Sequence, residues 1–168
     1  MRILGIDQSF TKCGLVILNE EDEVLDFKII SADNKKDKFD QAFDIATMIG
    51  LYCMEHEPNI IVLEGLAFGM SGNATRDLAG LQFTIVNHLR HRGYSKIKIV
   101  SPKTIKKHAT GNGGATKQEL YECLPNVVQS LFEERGYKKT TGRYDLTDAF
   151  WLAQYVNDQN LKKVLTLP

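Results

Sequence analysis

The chain has 168 residues, of which 43% are hydrophobic and 25% charged. This suits one folded domain over residues 1–168 and excludes a disordered chain. Its 21 basic and 21 acidic side chains cancel, which argues against a nucleic-acid binder until the charges are placed. Residues 1–77 hold 14 acids and 7 bases, residues 78–118 hold 8 bases and no acid, and residues 119–168 hold 7 acids and 6 bases. The sum conceals a dipole. No apolar run approaches the roughly 18 residues of a membrane span, and the first residues read as a strand instead of a signal peptide. A cytoplasmic protein with no membrane partner is expected. Cys13, Cys53 and Cys123 are odd in number and lack CxxC spacing, so buried thiols are expected in place of disulfides or a zinc site.

In chain order, Arg2 to Asp7 reads as a short apolar strand, Gln8 to Lys12 as a turn, and Cys13 to Asn19 as a second strand. Acidic residues Glu20 to Glu23 mark a turn before a third strand, Val24 to Ile30. Short connections predict an antiparallel meander. From Asp37 to Glu57, Phe39, Ala42, Phe43, Ala46, Ile49 and Met54 recur at near-helical spacing. Pro58 ends this helix, and Ile60 to Leu63 is an uninterrupted apolar run closed by Glu64, the pattern of a strand buried on both faces. A helix over Ala74 to Arg92 carries Leu78, Leu81, Ile85 and Leu89 on one face, and Lys96 to Val100 alternates as a fifth strand. Ser101-Pro102 is a helix start. Gly111 to Gly114 breaks the chain, one helix resumes near Thr116, Gly136 to Arg143 is a basic loop, and a last helix runs from Tyr144 to about Asn157. The order β-β-β-α-β-α-β-α-α-α predicts an α/β protein, with a mixed five-stranded sheet of three antiparallel then two parallel strands and helices on both faces. This is the order of an RNase H-like fold.

Four carboxylates stand out against that framework. Asp7 and Glu64 end apolar strands, where an uncompensated charge is costly. Asp145 and Asp148 lie three apart on one side of a helix whose inner face is Ala149, Leu152, Ala153 and Val156. A hard cation such as Mg²⁺ takes oxygen ligands, and a pair of such ions can activate water and stabilise the leaving oxygen of a phosphodiester. Without metal, clustered carboxylates repel and raise one another's pKa. Taken alone, Asp145 is equally a carboxylate favoured by a helix dipole and Asp148 a solvated one.

These motifs together resemble the RuvC family of Holliday junction resolvases. ILGIDQSFTKCGLVIL resembles that family's first strand, turn and second strand, IIVLEGLAF its fourth-strand segment, and DLTDAFWLA its D-x-x-D-A helix. The resemblance makes Asp7, Glu64, Asp145 and Asp148 the catalytic, metal-holding acids. SPKTIKKHATGNGGATK resembles the family's proline, lysine, glycine-rich and lysine pattern, which places Lys106 and Lys117 on its two functional lysines. Gln8 and Phe10 replace a more Gly/Pro-rich turn, and the stretch Ser130 to Arg143 is of the length that phage-type members carry. Phe68 follows Glu64 by four residues where some members place an aromatic wedge at three. It is either a base-stacking side chain or a hydrophobic anchor for its loop.

The acid-free segment holds Arg90, Arg92, Lys96, Lys98, Lys103, Lys106, Lys107 and Lys117, and reads as a surface kept positive for phosphates. Arg90, Arg92, Lys103, Lys106, Lys107, Lys117 and Phe68 are the candidate DNA contacts. His56, His88, His91 and His108 fit no ligand pattern.

The expectation is therefore a magnesium-dependent endonuclease with two ions, Mn²⁺ able to substitute, that cuts branched DNA. A homodimer supplies paired symmetric nicks, with the Ala74 to Arg92 helix as candidate interface. The rivals are an RNase H-like nuclease for flaps, forks or RNA–DNA hybrids, a non-catalytic junction-binding module, and a sugar-kinase-like half, for which the chain is too short. Junction sequence preference, a branch-migration motor and bacterial or phage origin are not encoded in any motif.

Overall fold

The computed structural model describes residues 1–66 and 72–165, with side chains as far as residue 161. Five strands, β1 (Ile3–Asp7), β2 (Cys13–Leu18), β3 (Val24–Ile30), β4 (Ile60–Glu64) and β5 (Ile97–Val100), form one sheet in the order β3-β2-β1-β4-β5. β1 pairs antiparallel with β2 and β2 with β3, while β4 runs parallel to both β1 and β5. The expected mixed sheet is thus present, and each strand lies within a residue of its predicted bounds.

The helices among the described residues are α1 (Lys38–His56), α2 (Asn73–His91), α3 (Pro102–Thr110), α4 (Lys117–Glu122), α5 (Asn126–Glu134) and α6 (Arg143–Leu165). Local chemistry explains their ends. The Asp37 carboxylate accepts from the amides of Phe39 and Asp40 at the start of α1, and Ser101 caps α3 with Pro102 in its first turn. Thr116 and Glu119 form a reciprocal capping box at α4. The single helix expected after Thr116 is two, because Pro125 cannot continue α4 and instead opens α5. The last helix is also longer than expected, beginning at Arg143 and extending to Leu165.

Alternation along the strands divides the core into two layers. Ile3, Val16, Leu18, Ile60 and Val62 pack with α6 residues Leu146, Ala149, Phe150 and Ala153 on one face. Leu4, Ile6, Leu15, Ile17, Ile61 and Leu63 pack with Ile45 and Ile49 of α1 and Leu81, Ile85 and Leu89 of α2 on the other. In α1 the core stripe is Ala42, Ile45, Ala46, Ile49 and Cys53, whereas Phe39, Phe43 and Met54 are exposed. The apolar stripe that nominated α2 as an interface faces the core, so the large apolar side chain left on its outer face is Phe83, 70% exposed. Cys13 and Cys53 are buried as expected, but Cys123 is exposed at the end of α4. No described helix is long and apolar enough to cross a membrane.

Candidate active site

Strand periodicity delivers the first two acids to one place. Asp7 continues the face of Ile3 and Gly5, and Glu64 that of Ile60 and Val62, which is the face covered by α6. The parallel register Ile6↔Leu63, continued by one residue, brings Asp7 level with Glu64 on adjacent strands, which lie about 4.8 Å apart.

Two glycines bring α6 down onto them. A Cβ on Gly5 would meet the Ala149 carbonyl oxygen at 1.9 Å, and one on Gly14 would meet the Asp145 carbonyl oxygen at 2.3 Å. Both are far inside any permitted contact. Gly14 is the antiparallel partner of Asp7. The helix backbone therefore touches the sheet beside Asp7, and the first turns of α6 bring Asp145 and Asp148 to the ends of β1 and β4. Asp148 is 8% exposed, as is Asp7, which removes the reading of Asp148 as a solvated carboxylate. Asp145 and Glu64 are half-buried.

The electrostatics match the geometry. Burial, followed by repulsion from Asp148, Glu64 and Asp145, holds the Asp7 carboxyl well above the usual carboxylate range. Burial and Asp148 push Glu64 up to about 7, against the opposing pull of Lys117 and Lys106. Burial also raises Asp148, although Lys117 counteracts it. The Lys117 ammonium lies 3.0 Å from an Asp148 carboxylate oxygen. Burial disfavours its charge, but Asp148, Asp7 and Asp145 outweigh that effect and raise its pKa above the usual lysine value. Lys117 is the first residue of α4, set there by the Thr116–Glu119 capping box. Lys106, half-buried on α3, is near enough to lower both Glu64 and Asp148.

Among the described residues the carboxylates of Asp7 and Glu64 have no hydrogen-bond donor. Nor do any three His, Cys, Asp or Glu side chains among them stand in a closed ligand set. The acids form an open array in which like charges repel and one ammonium supplies the main compensation. Such a donor set, all oxygen and short of positive charge, fits a hard divalent cation and no soft metal.

The family model for crossover junction endodeoxyribonuclease RuvC matches residues 3–152, a span that includes all four acids and both lysines. The chain belongs to the RuvC family. It is 26% identical over 167 residues to the crossover junction endodeoxyribonuclease RuvC of Bdellovibrio bacteriovorus, covering 97% of this chain and 94% of that protein. To its namesake in a Sulfurovum species it is 25% identical over 158 residues, covering 91% of this chain and 92% of the other. Its fold is similar to that of Thermus thermophilus RuvC in complex with a Holliday junction substrate, with a TM-score of 0.73 at 16% identity over 99% of this chain and 97% of that one. The yeast mitochondrial Holliday junction resolvase superposes with a TM-score of 0.60 at 16% identity, over 97% of this chain and 83% of the other. These likenesses establish the RNase H-like fold of this RuvC-family chain.

The remaining predicted contacts are dispersed. Lys117 pairs with Asp148, Lys106 is near enough to act on Glu64 and Asp148, and Lys103 and Lys107 are exposed on the same helix as Lys106. Arg90 and Arg92 instead lie at the end of α2, where the chain enters β5, at the opposite end of the strands from Glu64 and Val100. Arg92 is spent on α1 and α2, bonding His88 Nε2 at 2.8 Å and Met54 Sδ at 2.9 Å. The chain turns at the far end of the sheet between α2 and β5, so the acid-free segment spans both ends of the sheet and its two arginines lie away from the carboxylates. Phe68 lies outside the described residues. In the glycine-rich loop, a Cβ on Gly113 would meet Lys103 Cγ at 2.8 Å, so this glycine also serves packing against α3.

Sequence reasoning missed two glutamines. Gln8, read as part of a turn, is 6% exposed, and its Nε2 donates to the Glu64 carbonyl oxygen at 2.5 Å. Gln82 of α2 donates to the same oxygen at 2.7 Å. The available signal was a polar residue, Gln82, next to Leu81 within the apolar stripe of α2. Together the amides fix the end of β4 and hence the origin of the Glu64 side chain.

Proposed function

We propose that this chain, acting as one nuclease domain over residues 1–168, is a magnesium-dependent endodeoxyribonuclease that resolves four-way DNA junctions by paired, symmetric nicks. The observation that carries this reading is the convergence of Asp7, Glu64, Asp145 and Asp148 at one end of the sheet with Lys117 as their near counter-charge. A scaffold gains nothing from burying such an array, whereas metal-assisted phosphodiester hydrolysis uses one.

The four carboxylates would hold two Mg²⁺ ions, with Mn²⁺ able to substitute. When bound, the metal supplies Lewis acidity and a lowered pKa for water. The protein's own groups do the rest. Asp7 and Glu64, fixed on adjacent strands, and Asp145 and Asp148, fixed on α6, hold the reacting phosphate's surroundings in a set geometry. Lys117 can give up part of its contact with Asp148 to donate to a non-bridging phosphate oxygen, and Lys106 adds positive potential from the other side. Attack of a water oxygen on phosphorus with departure of the 3′ oxygen, which takes up a proton, leaves a 5′ phosphate and a 3′ hydroxyl.

Two symmetric nicks require two sites related by a two-fold axis, which a homodimer supplies. The exposed Phe83 on α2 and Phe39 and Phe43 on α1 support an interface on that side. The protein would act in the cytoplasm, of a bacterium or of a phage-infected host. Strand mapping on a fixed synthetic junction, with solution mass measured in parallel, tests the reading. The expected result is nicks at symmetric positions on opposing strands from a species of twice the chain mass. Preferential cleavage of flaps or RNA–DNA hybrids would refute it.

A further inference from the structure

The basic loop between α5 and α6 has no part in the reading above. Residues 135–144 contain Arg135, Lys138, Lys139 and Arg143 and no acid. The loop is firmly built. Gly136 and Gly142 take positive φ of 81° and 112°, and the Thr141 hydroxyl accepts from the Lys138 amide at 2.6 Å while the Thr141 and Arg143 amides both donate to the Lys138 carbonyl. Gly142 packs against Ile29 of β3. From the turn after Asp7, the Lys12 ammonium reaches across to donate to the Thr140 carbonyl at 2.5 Å.

This arrangement displays Lys138 and Lys139 as exposed cations. Among the described residues Lys12, Lys138 and Lys139 have no carboxylate partner. Arg135 and Arg143 are engaged with Asp26 and Glu133 respectively. Lys139 lies 6.0 Å over the Tyr144 ring, and the Tyr144 hydroxyl bonds Gln118 Oε1 at 2.5 Å, next to Lys117. Contacts thus lead from Lys117 and its neighbour Gln118 through Tyr144 to Lys139, and from Thr140 to Lys12 in the turn that follows Asp7.

We infer that the 136–143 loop together with Lys12 is a second phosphate-binding arm, which holds the backbone of a DNA strand on the side of the site away from α3. The inference rests on the nuclease reading above for the identity of the ligand. The backbone that carries these cations is preorganised by hydrogen bonds within the loop, so little loop ordering is needed when phosphate arrives. Contacts of this kind fix position without reading sequence.

The test is junction binding by the full chain over a salt series in EDTA, which removes divalent cations and prevents cutting, comparing wild type with K138A/K139A and with K12A. Each lost phosphate contact lowers the slope of log K against log salt by about 0.9. The double variant should therefore lose about 1.8 from that slope, and its deficit relative to wild type should shrink about tenfold between roughly 50 and 200 mM salt. K12A should lose about 0.9, and all variants should melt with wild type. A wild-type slope in the double variant would overturn the second arm while leaving the nuclease reading intact. Failure of wild type itself to bind or nick a junction would strike the nuclease reading instead. Charge reversal in K139E, expected to weaken binding further, separates charge loss from any loss of packing.

Discussion

Replacing Glu64 by Gln should make the metal-free protein more stable while abolishing nicking. The Glu64 carboxyl titrates at about 7 in the folded protein against 4.5 when unperturbed. Because the folded value is raised, the folded state holds the proton more tightly, so stability is lost as pH rises from 4.5 through 7. At about 1.4 kcal/mol per pH unit of displacement, ionised Glu64 costs the fold on the order of 3 kcal/mol at about pH 8, and under about 1 kcal/mol at about pH 5. Gln has nearly the same shape and never ionises, and the bonds from Gln8 and Gln82 reach the main-chain oxygen and survive. In EDTA at about pH 8, E64Q should melt roughly 5 to 10 °C above wild type, since about 1 kcal/mol moves Tm by roughly 2–4 °C at this size. Near pH 5 the two proteins should converge. Mg²⁺ should raise wild-type Tm more than that of the variant. Calorimetry with and without Mg²⁺ at both pH values is the assay. A variant no more stable than wild type at the higher pH, or stabilised equally at both, would mean that ionised Glu64 does not burden the metal-free fold.

Other perturbations follow from the same contacts. K117M leaves the buried Asp148 without its ammonium, 3.0 Å away, and should cost about 1–3 kcal/mol in urea denaturation at neutral pH together with most of the nicking rate. G5A should destabilise by about 1–3 kcal/mol or more, because its Cβ would lie 1.9 Å from the Ala149 carbonyl oxygen. Activity should fall further than stability as α6 is displaced from Asp7. Q82L removes one of two donors to the Glu64 carbonyl, which should cost about 1 kcal/mol. It should also raise the Mg²⁺ concentration needed for half-maximal nicking, while junction binding without metal stays unchanged.

The strands were legible because apolar alternation and turn residues agree, as in Val24 to Ile30, and the caps at Ser101 and Thr116 could be read from single residues. The four acids were legible because a carboxylate that ends an apolar strand, or shares a helix face with alanines, conflicts with its neighbours. What escaped notice depends on partners distant in the chain. Gly5 and Gly14 look like ordinary strand residues until α6 is laid across them. Gln8 looks like a turn residue until β4 provides the Glu64 carbonyl. The basic segment misled for the opposite reason, since its composition is uniform but its path crosses from one end of the sheet to the other and takes Arg90 and Arg92 away from the acids.

The most direct test of the carboxylate site is D7N on a fixed four-way junction with Mg²⁺, with nicking and binding measured on the same preparation. Asp7 is buried among three other acids, and the substitution keeps its shape while removing its charge. Nicking should disappear while junction binding is retained. Undiminished nicking by D7N would contradict the assignment of this site.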